Sequence, residues 1–142
     1  FWPMSRTNFP KQFLDILGTG KTLIQQTFDR YATFVPKENI YVVTSDEYVD
    51  IVQDQLRDMP AENIIAEPSR KNTAACIAYI AFKLYQKDPE ALMMAAPADH
   101  LIMEKDEFAK TFSCVSMTKD SDFYHQTGPY QELNHADTFI HL

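Results

Sequence analysis

Three short apolar runs, "IYVVT" (40–44), "NIIAE" (63–67) and "ALMMAA" (91–96), constrain the fold more than any other feature of the sequence. Turn-forming residues bound each run, and the stretches between them carry apolar residues at helical spacing. Thr22 is placed to cap a helix with an inward stripe of Leu23, Ile24, Thr27, Phe28 and Tyr31, which Pro36-Lys37-Glu38-Asn39 breaks. Ser45 is placed to cap a second helix carrying Tyr48, Val49, Val52 and Leu56. Asn72 is placed to cap a third from Thr73 to about Gln86, and a fourth begins from Asp106. Strands alternating with helices over short loops predict an α/β fold with a mainly parallel sheet covered on both faces.

In such sheets ligands bind beyond the carboxyl ends of the strands, where helix N-termini also point. Three segments meet that description: Thr44-Ser45-Asp46, the stretch from Glu67 to Thr73, and Pro97 to His100. The 142 residues fit one ordinary domain, and a net charge of -7 argues against broad attraction to nucleic acid or an anionic membrane. Any anion must therefore be met locally. Two cysteines in dissimilar contexts form no CxxC pattern or disulfide framework, which points to a reduced, cytoplasmic setting. No apolar run approaches the roughly 20 residues that a bilayer requires.

The chain opens on "FWPMSRTNFPKQF", where Pro3 and Pro10 hold an extended or turning backbone from which Arg6 and Lys11 project. Such a loop is suited to an anionic ligand. Together with "EPSRKNTAACIA" and "PADH", the stretch "FWPMSRTNFPKQFLDILG" resembles three ordered motifs of the mannose-1-phosphate guanylyltransferases. The resemblance covers residues 1 to about 112. It implies a Rossmann-like nucleotidyltransferase fold, incomplete in this chain. It further implies a reaction in which GTP and mannose 1-phosphate give GDP-mannose and pyrophosphate with Mg²⁺ or another divalent metal. In that family a Gly-rich segment ending in Thr-Arg precedes Phe-Trp-Pro, and a sugar-binding half that closes the sheet and supplies the mannose contacts follows. That half is not recognisable here, so the chain is expected to be the front half of such a domain and inactive alone.

Nucleotidyl transfer asks little covalent work of a protein; positioning and charge neutralisation carry it. The resemblance places Lys11 on the nucleotide phosphates, with Arg6 as a second cation whose planar fork suits phosphate oxygens or, equally, a structural ion pair. It assigns Asp99 of "PADH" to the metal, where phosphates and water complete the shell; as a bare Asp after a strand it is also a turn cap. Pro97 and Ala98 of the same motif fall among the nucleotide-binding positions. An ionised Glu67 can accept from both donors on the pairing edge of guanine, whereas an amide would suit uracil or thymine better; its plainer role is a strand-end carboxylate in water. Asn72 and Thr73, at a helix start, either present donors to the nucleotide or simply cap the helix.

Lys71 and Ala75 stand where the family shows Arg and Pro, which keeps the charge but loses bidentate geometry. His100 and the tail histidines lack metal-ligand spacing, so zinc is not expected. The aromatic residues of "FDRYATF" (28–34) and "FKLYQ" (82–86) are expected in the core, as are Met93 and Met94, and Cys76 reads as a buried inert thiol. Residues 113–142 lack sustained periodicity and stay unassigned. Two other functions remain open, a pyrophosphorylase for another nucleotide sugar and a non-catalytic nucleotide-binding or interaction module. A homo-oligomer is compatible with either.

Overall fold

A computed structural model describes residues 10–67, 72–100, 102–104, 107–109, 115–117, 124–126 and 136–141. Its centre is a four-stranded sheet in which every neighbouring pair is parallel. The three expected runs form β1 (Ile40–Ser45), β2 (Ile64–Glu67) and β3 (Leu92–Pro97). Two short strands, β4 (Val115–Met117) and β5 (Tyr124–Gln126), make a separate antiparallel pair. The last strand, β6 (Ala136–His141), belongs to the main sheet, whose order is β2-β1-β6-β3.

That order assigns part of the stretch that the sequence left without a place. β6 runs between β1 and β3, pairing Ile40 with Thr138 on one side and Met94 with Thr138 on the other. A central strand of a parallel sheet usually reads as a near-continuous apolar run. "ADTFIH" does not, because Asp137, Thr138 and His141 interrupt it.

Alternation along β1 explains how both faces are covered. Ile40 and Val42 share one core with Ile24, Phe28 and Tyr31 of α1 (Leu23–Tyr31) and Val52 of α2 (Val49–Gln55). Tyr41 and Val43 face the opposite core, built with Ile65 and with Cys76, Ile80 and Leu84 of α3 (Asn72–Lys87). Successive side chains of a strand point to opposite faces, so one short run serves both layers. Ile24, Val42 and Val43 are fully buried, each contributing about 1.5–3 kcal/mol by removal from water.

The helix ends follow local chemistry. Gln25 Oε1 accepts from the Thr22 N–H at 2.9 Å, while the Thr22 hydroxyl donates to Gln55 and ties the start of α1 to the end of α2. Gly18 and Gly20 take positive φ (64° and 79°), which lets the Asp15 carboxylate accept from the Thr19 and Gly20 amides at 3.0 and 2.7 Å. After β1 a 3-10 turn over Asp46–Tyr48 intervenes before α2, so Ser45 does not cap that helix directly. Residues 107–109 are helical; the expected start at Asp106 lies outside the described residues.

The aromatic expectation divides. Phe28 and Tyr31 are buried and Phe34 packs against them, but Phe82 and Tyr85 are 72% and 62% exposed. The inward stripe of α3 is Cys76, Ile80 and Leu84 at four-residue intervals, and Phe82 and Tyr85 fall off that line. Met93 and Met94 pack against opposite cores, as adjacent strand residues must. No described helix is long and apolar enough to cross a membrane.

Candidate functional site

Because the main strands are all parallel, their carboxyl ends lie along one edge. Ser45 pairs with Glu67 there, while Val43 and Pro97 both pair with His141. Asp99 follows Pro97 by two residues and thus stands at the same edge. Glu67 and Pro97 are separated by three strand steps, or about 14 Å at roughly 4.8 Å per step.

Lys11 reaches this edge from the other side. Pro10 leads into a 3-10 turn over Lys11–Phe13, anchored by Phe13, which is 2% exposed and touches the Tyr48 ring at 5.6 Å between centroids. Burying Phe13 fixes the turn, and Lys11 projects to form an ion pair with Asp99 Oδ2. The two side chains are 38% and 29% exposed, so a solute can reach them. The hydrogen bond from Lys11 holds the Asp99 carboxyl below the usual carboxylate range, against the desolvation that opposes it. The structure thus brings together two residues 88 positions apart that the sequence singled out separately.

The turn after β3 is held from beneath. Ala98 is buried, and its carbonyl accepts from the Thr27 hydroxyl of α1 at 3.1 Å. Pro97 and His100 are exposed on either side of it. At the other end of the edge, Glu67 is half-buried beside Cys76. Burial pushes the Cys76 thiol up to about 12, and the neighbouring Glu67 carboxylate adds to the shift by its charge and by accepting from the thiol. An inert thiol is the consequence. A carboxylate offers about four acceptor positions, so one thiol contact leaves Glu67 able to accept more.

Thr44, at the end of β1, is fully buried and its hydroxyl has no hydrogen-bond partner among the described residues. Arg6 lies outside the described residues, as do Arg70 and Lys71; the backbone at Asn72 and Thr73 is helical, and their side chains are not described. Sequence reasoning missed Thr27 and Arg30 as parts of the support. Their only signal was a hydroxyl and a cation sharing the inward side of an otherwise apolar stripe.

No described group of three or more His, Cys, Asp or Glu residues could hold a metal by itself. A single accessible carboxylate does suit Mg²⁺, which is bound through one or two carboxylates plus phosphates and retained waters.

A concavity of about 450 Å³ lies between the start of α1 and the end of α2, away from this edge. Its charged lining is paired: Lys21 with Asp29 and Arg57 with Asp54, each at 2.5 Å, and Asp58 with Lys37 at 2.8 Å. Lys37 and Asp58 precede the first residues of β1 and β2, at the amino ends of the strands.

Comparison with known proteins bears on the edge. The model of the family described as nucleotidyl transferase matches residues 1–133. The chain is 40% identical over 111 residues to mannose-1-phosphate guanylyltransferase of Escherichia coli (strain K12), covering 75% of this chain and 23% of that protein. It is 36% identical over 121 residues to alginate biosynthesis protein AlgA of Pseudomonas putida, covering 84% of this chain and 24% of that protein. It is 38% identical over 113 residues to mannose-1-phosphate guanylyltransferase RfbM of Salmonella typhimurium, covering 77% and 23%. The chain therefore spans about a quarter of the length of these relatives. A parallel α/β sheet with a lysine and an aspartate meeting at its carboxyl edge, matched by the family model over nearly all of its length, makes this chain a member of the nucleotidyl transferase family.

Proposed function

We propose that this chain carries the nucleotide-binding part of a site that, in the whole protein, joins GTP and mannose 1-phosphate into GDP-mannose with release of pyrophosphate. The observation that carries the reading is the Lys11–Asp99 pair at the carboxyl edge of the sheet. Three strand steps away, Glu67 stands where the base of an extended nucleotide would lie if its phosphates met that pair. The names of the two mannose-1-phosphate guanylyltransferases, at 40% and 38% identity, support the choice of substrates.

In this reading Lys11 leaves Asp99 for the triphosphate, and Asp99 is the residue that would hold Mg²⁺. Arg6 is a second phosphate contact. Pro97 and Ala98 shape the turn against the nucleotide, while Asn72 and Thr73 border it at the start of α3. Bound Mg²⁺ would neutralise the charge that builds on the leaving pyrophosphate. Lys11 adds a donor to the same oxygens, and Glu67 fixes the base so that the α-phosphorus is held in one place for attack by the sugar phosphate.

Glu67 makes the reading testable. With Mg²⁺ present, GTP is expected to bind more tightly than UTP or dTTP by calorimetry. Glu67→Gln should weaken GTP by roughly 10–100-fold, the loss of a charge-assisted pair of hydrogen bonds, while holding or tightening UTP, which an amide suits better. Tighter binding of UTP than GTP by the unaltered chain would exclude Glu67 as the guanine reader.

A further inference from the structure

Arg30 is 3% exposed, yet it forms no ion pair with a described carboxylate. Its guanidinium carbon lies 5.5 Å from the Tyr31 ring centroid and 5.2 Å from that of Phe108. The Nε proton has no partner among the described residues. Burying a cation with no counter-ion among the described residues is costly, and a hydrophobic residue of similar length would fill the space more cheaply. Core packing alone does not account for it.

Besides its contact with Tyr31, the guanidinium makes a hydrogen bond that points toward the site. Arg30 Nη2 donates to Thr27 Oγ1 at 3.2 Å, and the same hydroxyl donates to the Ala98 carbonyl at 3.1 Å. A hydroxyl has one proton. By accepting from Arg30, which can only donate, the Thr27 oxygen leaves its own proton for Ala98. The relay ends on the peptide that joins Ala98 to Asp99. Because a peptide unit is planar, fixing the Ala98 carbonyl also fixes the Asp99 nitrogen and Cα, the point from which its side chain leaves the turn.

We propose that Thr27 and Arg30 are positioning residues for Asp99, a buried relay that sets the orientation of its carboxylate and with it the affinity of the nucleotide complex for the divalent cation. This rests on Asp99 as the metal ligand of the site above. Neither side chain touches substrate. Both are buried beneath the turn, so their effect reaches the ligand only through the 98–99 peptide. A misplacement of about 1 Å at such a site can cost two orders of magnitude, which makes a two-bond relay worth keeping.

Calorimetric titration of Mg²⁺ into the chain saturated with GTP tests this, with metal-free GTP affinity and thermal midpoint recorded for every variant. Thr27→Val, which keeps volume and removes the hydroxyl, is expected to weaken Mg²⁺ by roughly tenfold with metal-free GTP affinity unchanged. Thr27→Ser should restore it. Arg30→Met should also weaken Mg²⁺ while holding or raising the thermal midpoint, an outcome that loss of a merely structural residue would not give. Asp99→Ala separates the two layers of the argument. If Asp99→Ala lowers Mg²⁺ affinity to that of GTP alone while Thr27→Val and Arg30→Met match the unaltered chain, the relay is overturned and the metal role of Asp99 stands. If Asp99→Ala leaves Mg²⁺ affinity unchanged, the metal role fails and the relay fails with it. Should Thr27→Val not fold, Arg30→Met against the unaltered chain decides alone.

Discussion

Replacing Thr138 by proline is expected to abolish the cooperative thermal transition of this chain. Thr138 is in register with Ile40 on one neighbour and Met94 on the other, in a strand paired on both sides. Proline there removes a ladder donor and holds φ near -65°, far from the parallel-strand value of about -120°. An orphaned buried acceptor alone costs about 1–3 kcal/mol, against a net stability of about 5–15 kcal/mol for a domain. The larger loss is topological. Without β6, the sheet falls into the β2-β1 pair and an isolated β3, and the edge on which the candidate site stands is divided. The same change at Ser116, in the separate β4-β5 pair, should lower the transition temperature only slightly. A Thr138→Pro chain melting cooperatively near the unaltered temperature would remove β6 from the sheet.

The second large effect concerns ligand binding. Lys11→Ala is expected to weaken GTP by roughly 10–100-fold, the range for a hydrogen bond to a charged group. It should also change the acid behaviour of Asp99. The hydrogen bond from Lys11 depresses the folded-state Asp99 carboxyl below its ordinary value of 3.8. Such a group stabilises the fold above its unfolded value and loses that contribution as pH falls through the folded one. Removing Lys11 therefore shrinks that contribution, and carboxyl-carbon NMR should show Asp99 titrating at higher pH, closer to its ordinary value. An unchanged Asp99 titration in Lys11→Ala would contradict the ion pair, and unchanged GTP affinity would contradict the phosphate role.

The parts of the molecule visible in the sequence are those with a strong local pattern. β1, β2 and β3 were legible because β-branched or apolar runs stood between turn residues, and parallel topology then placed Ser45, Glu67 and Pro97 at one edge. The α1 stripe of Leu23, Ile24, Thr27, Phe28 and Tyr31 is buried as its spacing required. β6 was not legible, because its neighbours in the sheet lie some forty or more residues earlier and its polar positions hide the strand. Phe82 and Tyr85 misled for a related reason, since aromatic content favours a core position while helical phase decides it. Arg30 was hidden by its charge. A cation on an inward stripe is ordinarily read as surface, and only tertiary contacts reveal that it supports Thr27 and the Ala98 carbonyl.

The central claim is a location: a metal-nucleotide complex held at the carboxyl edge of the sheet. Paramagnetic broadening of backbone amide resonances, with Mn²⁺ in place of Mg²⁺ and GTP present, tests it most directly. The account predicts broadening centred on Lys11–Phe13 and on Ala98 to His100, with residues 54–58 unaffected. Broadening centred instead on Asp29, Asp54 and Asp58, in the groove between α1 and α2, would contradict it.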